Sequence, residues 1–234
     1  MILGVIPARY ASTRFPGKPL ALIKGKPMIK WVYDAAKNCP DLDEVIVATD
    51  DKRIADVVGR AEMTGEHETG TDRIAEVARR HPADIVVNIQ GDKPFIRPED
   101  LSKLIREFHS DMGVMIHPLK EGFEDYSVVK AVIDLKGYLL YASRYPIPYK
   151  QNEGITYQSG GIYIFTGDFL QTFTKLKPTP LQQTESLEQL RALEHGYKIQ
   201  TIYIDKETFG VDTPEDLEKA NGYKKKEGRG PKEV

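Results

Sequence analysis

Short runs of apolar and β-branched residues alternate along the first half of the chain with amphipathic stretches. The apolar runs occupy residues 2–6, 44–49 and 84–89. The amphipathic stretches, in which apolar residues recur at helical spacing, occupy residues 28–38 and 53–60. Continuous apolar runs are typical of strands buried on both faces, and amphipathic helices between such strands form βαβ units. The pattern therefore predicts an α/β fold whose first strands are parallel.

Two further helices are predicted from their starting signals and apolar spacing. Thr71 and Asp72 are expected to cap a helix over residues 73–81. Another helix is expected to begin at Pro98, because proline fits the first turn of a helix, and to keep one apolar face as far as Phe108.

From about residue 112 the pattern changes to shorter β-rich pieces. These pieces occupy residues 113–117, 127–134 and 161–165. Tyrosine and proline are clustered over residues 141–149. We expect a smaller mixed region over about residues 112–180, laid against the first sheet within a single domain of residues 1–222.

The last part of the chain returns to alternating helix and strand. The pattern predicts a helix over about residues 185–195 closed by Gly196, a strand over residues 199–204, and a helix from Thr213. Residues 223–234 are rich in glycine, proline and charge, which predicts a flexible basic tail.

Composition and charge exclude several classes of protein. The chain has 234 residues, 40% of them hydrophobic, and a formal net charge of −2, so it lacks the general basic field of nucleic-acid-binding proteins. No apolar run approaches the length of a membrane span, and no leader pattern opens the chain. The single cysteine, Cys39, cannot form an intramolecular disulfide. We expect a cytoplasmic protein with no nucleic-acid partner and no membrane insertion.

A cationic loop follows the first predicted strand. After Pro7 and Ala8, the cations Arg9, Arg14 and Lys18 are spaced among small residues and a glycine. Such loops let backbone amides approach an anion, which indicates a nucleoside triphosphate site, although a solvated surface turn has a similar composition. The chain contains neither G-x-x-x-x-G-K-[ST] nor G-x-G-x-x-G, which disfavours P-loop kinases and standard dinucleotide dehydrogenases.

Two aspartates follow other predicted strands. Asp92 lies in the turn after residues 84–89, and Asp212 lies beyond the last strand. Ligands bind at the carboxyl ends of the strands in open α/β sheets, and Mg²⁺ takes one or two carboxylates together with phosphate oxygens. Alone, Asp92 is compatible with a simple turn, and Asp212 with the residue before an N-cap at Thr213. Together with the cationic loop, the two aspartates predict a Mg²⁺–triphosphate site.

Six motifs, in order along the chain, resemble those of the 3-deoxy-manno-octulosonate (Kdo) cytidylyltransferases. They are Pro7-Ala-Arg9-Tyr-Ala-Ser-Thr-Arg14-Phe-Pro-Gly-Lys18-Pro-Leu, Val47-Ala-Thr-Asp50, Gly70-Thr-Asp-Arg73, Asn88-Ile-Gln-Gly-Asp92, Leu187-Glu-Gln-Leu-Arg191 and Gly210-Val-Asp-Thr-Pro214. The resemblance implies a nucleotide-diphospho-sugar transferase-like fold, a Rossmann-like mixed sheet flanked by helices with a smaller β-rich insertion. It also implies an enzyme that joins CTP to Kdo, gives CMP-Kdo and pyrophosphate for lipopolysaccharide biosynthesis, and is a homodimer.

The resemblance assigns roles to individual residues. It implies a nucleotide side formed by Pro7, Ala8, Arg9, Arg14, Lys18, Arg73 and Gln90, and a sugar-acid side formed by Arg144, Tyr163, Glu188 and Gln189. Asp92 and Asp212 are implied to hold Mg²⁺, and Lys18 is implied to act with them in catalysis. On helical spacing alone, Glu188 and Gln189 lie off the apolar stripe, so a solvent-facing position is the alternative for both.

The sequence departs from the family pattern at two places. The family usually has Glu or Gln where this chain has Lys93, and an ammonium near Asp92 would weaken metal binding. The family also commonly has a cation, then His, then an aliphatic residue, where this chain has Gln158-Ser159-Gly160. The alternatives are therefore a related sugar acid as acceptor, such as 8-amino-Kdo or a nonulosonic acid, and a non-catalytic nucleotide-binding relative.

Overall fold

A computed structural model describes residues 1–11, 15–207 and 209–222 of the chain. The predictions made for Arg14 and for a tail over residues 223–234 lie outside the described residues. The strands are β1 (Ile2–Ala8), β2 (Leu22–Ile23), β3 (Lys26–Pro27), β4 (Glu44–Thr49), β5 (Ala61–Met63), β6 (Ile85–Asn88), β7 (Met112–Pro118), β8 (Lys130–Ile133), β9 (Leu139–Ser143), β10 (Tyr157–Thr166) and β11 (Ile199–Tyr203). The helices are α1 (Met28–Lys37), α2 (Lys52–Ala55), α3 (Gly70–Arg80), α4 (Pro98–Glu107), α5 (Gly167–Phe173), α6 (Pro180–Glu185), α7 (Gln189–Glu194) and α8 (Pro214–Gly222), and a 3₁₀ helix spans Lys18–Leu20.

One mixed sheet organises the fold. Within the described residues it has nine strands, seven of them in the order β11-β7-β10-β6-β1-β4-β5, with β8 paired to β10 and β9 paired to β8. The pairs β1–β4, β1–β6, β4–β5 and β7–β11 are parallel, whereas β10 is antiparallel to both β6 and β7. The predicted α/β class with a mixed sheet flanked by helices is confirmed.

Apolar layers cover both faces of this sheet. Neighbouring side chains of β6 show the alternation that a strand requires, because Val86 belongs to one layer and Val87 to the other. The first layer joins α3, α5 and α7 to the sheet and contains Ile74 and Phe173, and the second joins α1 and α4 and contains Leu104. Burial of each such side chain contributes about 1.5–3 kcal/mol to the stability of the fold, so the layers hold the strand ends in fixed positions.

Two predicted helix boundaries are wrong. The helix predicted over residues 53–60 ends at Ala55, and the chain continues through turns to the edge strand β5. Helix α3 begins before the predicted cap, because the hydroxyl of Thr69, not Thr71, accepts the backbone N–H of Asp72 at 3.1 Å. Thr71 instead lies within the first turn of the helix and is buried.

The region over residues 112–180 does not form a layer of its own. Strands β7 and β10 lie inside the central sheet, and the hairpin β8–β9 extends from β10. Strand β9 and helix α5 were not predicted. The helix predicted over residues 185–195 begins later, as α7 at Gln189, and the preceding helix α6, which was not predicted, ends at Ser186 with its left-handed φ of 54°. None of the helices in the described part of the chain has the length and apolar character needed to cross a membrane.

Candidate functional site

The site lies at the edge of the sheet where β1, β6 and β11 have their carboxyl ends. These strands run in the same direction, so the loops that follow them meet at one edge. The backbone N–H of Val211, beyond β11, donates to the carbonyl of Asp92, beyond β6, at 3.0 Å. The loops after the two strands are therefore joined directly, although they are far apart in sequence.

Lys18 brings the two predicted metal-binding aspartates together. Its ammonium lies 3.2 Å from Oδ2 of Asp92 and 3.0 Å from Oδ1 of Asp212. Gly17, with φ 72°, makes the left-handed turn that starts the 3₁₀ helix carrying Lys18. The Lys18 side chain is only 16% exposed, so these ion pairs are partly shielded from solvent and position all three groups.

The aspartate pair fits a divalent cation that also binds phosphate. Oδ1 of Asp92 is buried and has no hydrogen-bond partner among the described residues. A buried acceptor without a donor is costly, and a cation would satisfy it. No group of three or more His, Cys, Asp or Glu side chains suited to a metal occurs in the described residues. Mg²⁺ needs no such cage, because water and substrate phosphates complete its coordination.

A cavity of about 250 Å³ opens beside this cluster, and we call it the nucleotide cavity. Its walls come from the end of β1, the 3₁₀ helix, the start of α3 and the turn after β6. Every predicted nucleotide residue inside the described part of the chain lines this cavity, namely Pro7, Ala8, Arg9, Lys18, Arg73 and Gln90. The structure therefore brings these residues together around one space.

Arg73 forms the wall of the nucleotide cavity from a buried position. Its guanidinium binds Oδ2 of Asp50 at 2.6 Å and the hydroxyl of Thr64, and the residue is 3% exposed. His67 also lines the cavity and binds Glu76 at 2.5 Å. Burial and the charge of Arg73 lower the pKa of His67. His67 was not predicted from the sequence, although it lies just before the motif that contains Arg73.

A second, larger cavity of about 760 Å³ lies on the other side of the aspartate pair. We call it the acceptor cavity. All four predicted sugar-acid residues line it, which are Arg144, Tyr163, Glu188 and Gln189. The hydroxyl of Tyr163 donates to Oε1 of Gln189 at 3.0 Å, and burial raises the pKa of Tyr163, so this phenol stays protonated. Gln189 is 3% exposed, so the solvent-facing alternative is wrong for this residue.

Thr71, which was predicted to cap α3 but lies within the helix, holds Glu188. The hydroxyl of Thr71, in the first turn of α3, donates to Oε2 of Glu188 just before α7. This contact joins a helix that borders the nucleotide cavity to one that borders the acceptor cavity.

Arg144 is held by residues that were not predicted from the sequence. Its Nε donates to the carbonyl of Glu185 at 3.2 Å, and its backbone N–H donates to Oε2 of the same residue at 3.0 Å. The Glu185 carboxylate also accepts the hydroxyl of Ser143 at 2.5 Å. The ammonium of Lys130 donates to the Arg144 carbonyl at 2.8 Å. Such contacts connect α6, β8 and β9, and no local sequence signal marks them.

The altered segment Gln158-Ser159-Gly160 lies in β10 along the acceptor cavity. Gln158 and Ser159 line the cavity, and the pairing of β10 with β7 shifts register between Ser159 and Tyr163. A Cβ at Gly160 would lie 2.7 Å from Nε2 of His117. An imidazole from β7 therefore takes the space beside Gly160.

The two cavities meet at a small set of residues. Gly70, Gln90, Asp92 and Asp212 line both cavities. A reaction between a phosphate held in one cavity and a hydroxyl held in the other would therefore take place beside the two carboxylates. Such an arrangement suits transfer of a nucleotidyl group to an acceptor.

Known proteins that are similar to this chain are cytidylyltransferases. The family model described as cytidylyltransferase matches residues 3–199. A 3-deoxy-manno-octulosonate cytidylyltransferase from Geotalea uraniireducens is 47% identical over 242 residues, covering 93% of this chain and 96% of the relative. An enzyme of the same name from Acaryochloris marina is 46% identical, covering 94% of this chain and 95% of the relative.

Solved structures show the same likeness. A CMP:2-keto-3-deoxy-manno-octonic acid synthetase complexed with CTP has a TM-score of 0.90 and 41% identity, covering 94% of this chain and 97% of that chain. A cytidylyltransferase from Leptospira borgpetersenii has a TM-score of 0.64 and 19% identity, covering 94% of this chain and 84% of that chain, and shares the fold.

Proposed function

The chain belongs to the 3-deoxy-manno-octulosonate cytidylyltransferase family, and we propose that it joins CTP to Kdo, giving CMP-Kdo and pyrophosphate. The observation that carries this proposal is the meeting of two cavities at Asp92 and Asp212. The smaller cavity has the cations for a triphosphate, and the larger has the polar groups for a hydroxyl-rich acid. Binding of CTP by the synthetase with 41% identity supports CTP as the nucleotide.

We propose that Asp92 and Asp212 hold Mg²⁺ together with the triphosphate. The buried, unpaired Oδ1 of Asp92 supports this assignment. When bound, Mg²⁺ offsets phosphate charge and lowers the pKa of a hydroxyl that it contacts. Lys18 already bridges the two carboxylates at 3.0 and 3.2 Å, so its ammonium is near the charge that develops on the phosphates.

The reaction requires positioning rather than a covalent intermediate. The anomeric hydroxyl of the acceptor loses its proton to solvent as its oxygen attacks the α-phosphorus in line. The bond between the α-phosphorus and the oxygen that bridges to the β-phosphate breaks, and pyrophosphate leaves with that oxygen. Lys18 and Arg9 stabilise charge on the departing pyrophosphate. In the acceptor cavity, Tyr163 and Gln189 donate to and accept from the sugar hydroxyls, and Arg144 offers a cation.

The biological setting is also a proposal. We propose that the enzyme acts in the cytoplasm as a homodimer and that its product serves lipopolysaccharide biosynthesis. The lone cysteine, Cys39, is buried and free, which suits a reducing compartment. Tyr126 and Tyr145 stack with their ring centroids 6.2 Å apart and are 60% and 66% exposed, and this exposed aromatic pair supports contact with a second copy. Light scattering of the purified protein measures the oligomeric state, and a monomer at micromolar concentration would contradict the dimer.

Pyrophosphate release tests the proposed reaction. The assay contains CTP and Mg²⁺ with Kdo, 8-amino-Kdo or a sialic acid, and compares the wild type with Asp92→Asn. We expect release with Kdo and a rate at least about 100-fold lower in the variant, as for loss of one group that stabilises the transition state. Asp56→Asn, at an exposed ion pair on the surface, is the matched control and keeps the wild-type rate.

Each other outcome has a definite meaning. Release only with another acid assigns that acid as acceptor and makes the altered segment at residues 158–160 the candidate determinant of specificity. Absence of release with every acceptor, in protein that still binds CTP, supports a non-catalytic nucleotide-binding relative and overturns the proposed reaction.

A further inference from the structure

Lys93 is a cation of the acceptor cavity. It follows Asp92 at the tip of β6 and lines the acceptor cavity, whereas Lys18 lines the nucleotide cavity. The two lysines therefore lie in different cavities, although Lys18 pairs with Asp92 and Lys93 follows it in the sequence. Lys93 is also one of the two positions at which the sequence departs from the family pattern.

The Lys93 side chain passes two glycines, and Gly210 leaves the space that its ammonium occupies. A Cβ at Gly210 would lie 2.9 Å from Nζ of Lys93, and a Cβ at Gly161 would lie 3.9 Å from its Cε. The side chain therefore extends between the loop before Val211 and strand β10. The pKa of His117 on β7 is lowered mainly by burial and, to a lesser extent, by the charge of Lys93.

The charge balance of the acceptor cavity makes a cation necessary for an acidic ligand. Seven carboxylates line the cavity, at Asp92, Asp125, Glu188, Glu207, Asp212, Glu215 and Asp216. Its described lining holds three cations, Lys93, Arg144 and Lys219. Lys219 is 69% exposed and lies 3.5 Å from Asp216, and Arg144 donates to the carbonyls of Tyr126 and Glu185. An anion entering among these carboxylates requires a charged donor near its own carboxylate.

The chemistry of the acceptor fixes where that donor must be. In a 2-keto sugar acid, the carboxylate is attached to the anomeric carbon, which also bears the attacking hydroxyl. A group that binds this carboxylate must therefore lie next to the groups that hold the α-phosphate. Lys93 directly follows Asp92, whereas the β10 residues opposite, Gln158 and Ser159, are neutral.

We propose that the ammonium of Lys93 binds the carboxylate of the sugar-acid acceptor and sets the preference of this enzyme for acidic over neutral acceptors. This inference rests on the proposed function, because it names the residue that recognises the acceptor in the same reaction. It assigns to Lys93 a role on the acceptor side, in place of the metal-weakening role expected from the sequence.

The test compares wild type, Lys93→Gln and Lys93→Arg with two acceptors, Kdo and its neutral C1 amide. Charge-assisted hydrogen bonds are stronger than neutral ones, so we expect Lys93→Gln to raise the KM for Kdo about 10- to 100-fold. The KM for CTP and the Mg²⁺ concentration for half-maximal rate stay unchanged. Wild type prefers Kdo over the amide, Lys93→Gln loses most of that preference, and Lys93→Arg retains it.

A binding measurement and a control separate this role from a structural one. Calorimetric titration of Kdo into the protein measures acceptor affinity without turnover, and Lys93→Gln lowers it by the same factor as the change in KM. Lys103→Gln removes a lysine of α4 that pairs with Glu107 at 3.7 Å on the surface, and leaves both constants unchanged.

Three results would overturn the inference. The first is an unchanged KM for Kdo in Lys93→Gln, and the second is equal use of Kdo and its amide by wild type. The third is a rise in the KM for CTP or in the Mg²⁺ requirement as large as the rise for Kdo, because Lys93 would then position the aspartates instead. Failure of the proposed function is distinct, because wild type would then release no pyrophosphate with any acid.

Discussion

The nucleotide cavity and the acceptor cavity share two aspartates but are built in different ways. The nucleotide cavity, about 250 Å³, is lined by loops at the ends of β1 and β6, and its charged groups are fixed by ion pairs. The acceptor cavity, about 760 Å³, is assembled from β10, from the segment after β9 and from the start of α7. A triphosphate needs a compact set of charges, whereas a sugar acid needs many weaker contacts over a larger surface. We call the residues around each cavity the nucleotide half and the acceptor half of the site. Because the two halves are built differently, a substitution in one can impair its function while ligand binding in the other is retained.

The largest expected effect comes from breaking the nucleotide half at Lys18. Lys18→Met removes the ammonium that lies between Asp92 and Asp212, while it keeps a side chain of similar length. We expect kcat to fall about 100-fold or more, as when one preorganised electrostatic contact is deleted. Steady-state rates with both substrates saturating measure kcat, and calorimetry shows whether the affinity for Kdo is retained.

The control for this variant is Lys52→Met. Lys52 is 82% exposed and pairs with Asp56 on α2, so its loss leaves kcat at the wild-type value. If Lys18→Met kept kcat within threefold of wild type, or lost Kdo affinity as strongly as catalysis, the separation of the two halves would be wrong.

A smaller effect is expected from weakening the acceptor half at Glu185. Glu185→Gln keeps the size of the side chain but removes the charge that accepts the backbone N–H of Arg144 and the hydroxyl of Ser143. Because hydrogen bonds to a charged group contribute about 1.5–3 kcal/mol, we expect the KM for Kdo to rise about 10-fold. The KM for CTP stays unchanged, since Glu185 positions Arg144 and lies outside the nucleotide cavity lining.

Glu218→Gln, on the exposed face of α8, is the matched control and changes neither KM. Equal increases in the KM for Kdo and CTP would show that Glu185 supports the whole fold rather than the acceptor half. A pH profile of kcat/KM that kept its shape would agree with a positioning role.

The different construction of the halves also explains what sequence reasoning could predict. Arg9, Lys18 and Asp92 lie in the loops that follow predicted strands, so strand order alone places them near one edge of the sheet. Glu185 acts on Arg144 across 41 positions, and that contact depends on β9, which was not predicted. The left-handed Ser186 ends α6, so α7 begins only at Gln189, which is buried. Helical spacing over residues 185–195 could not show this.

The smallest expected effect concerns the glycine that replaces a larger residue beneath the acceptor cavity. Gly160→Ala places a Cβ 2.7 Å from Nε2 of His117 and 3.2 Å from the carbonyl oxygen of Met115. His117 is buried and its Nδ1 lies 3.2 Å from the carbonyl of Ile204, so the ring cannot move away freely. Overpacking of this kind costs about 1–3 kcal/mol, which lowers Tm by about 2–12 °C in a chain of this size.

Calorimetric melting of Gly160→Ala and Gly154→Ala tests this effect directly. A Cβ at Gly154 would meet nothing within 4 Å, so the control keeps the wild-type Tm within about 1–2 °C. The same alanine at position 160 costs less in a His117→Ala background, because the collision with the ring is gone. An equal cost in both backgrounds would mean that the backbone, rather than His117, sets the need for glycine. If Gly160→Ala raised the KM for Kdo but not the KM for CTP, the two cavities would again behave independently. The neighbouring residues Gln158 and Ser159 line the acceptor cavity and not the nucleotide cavity.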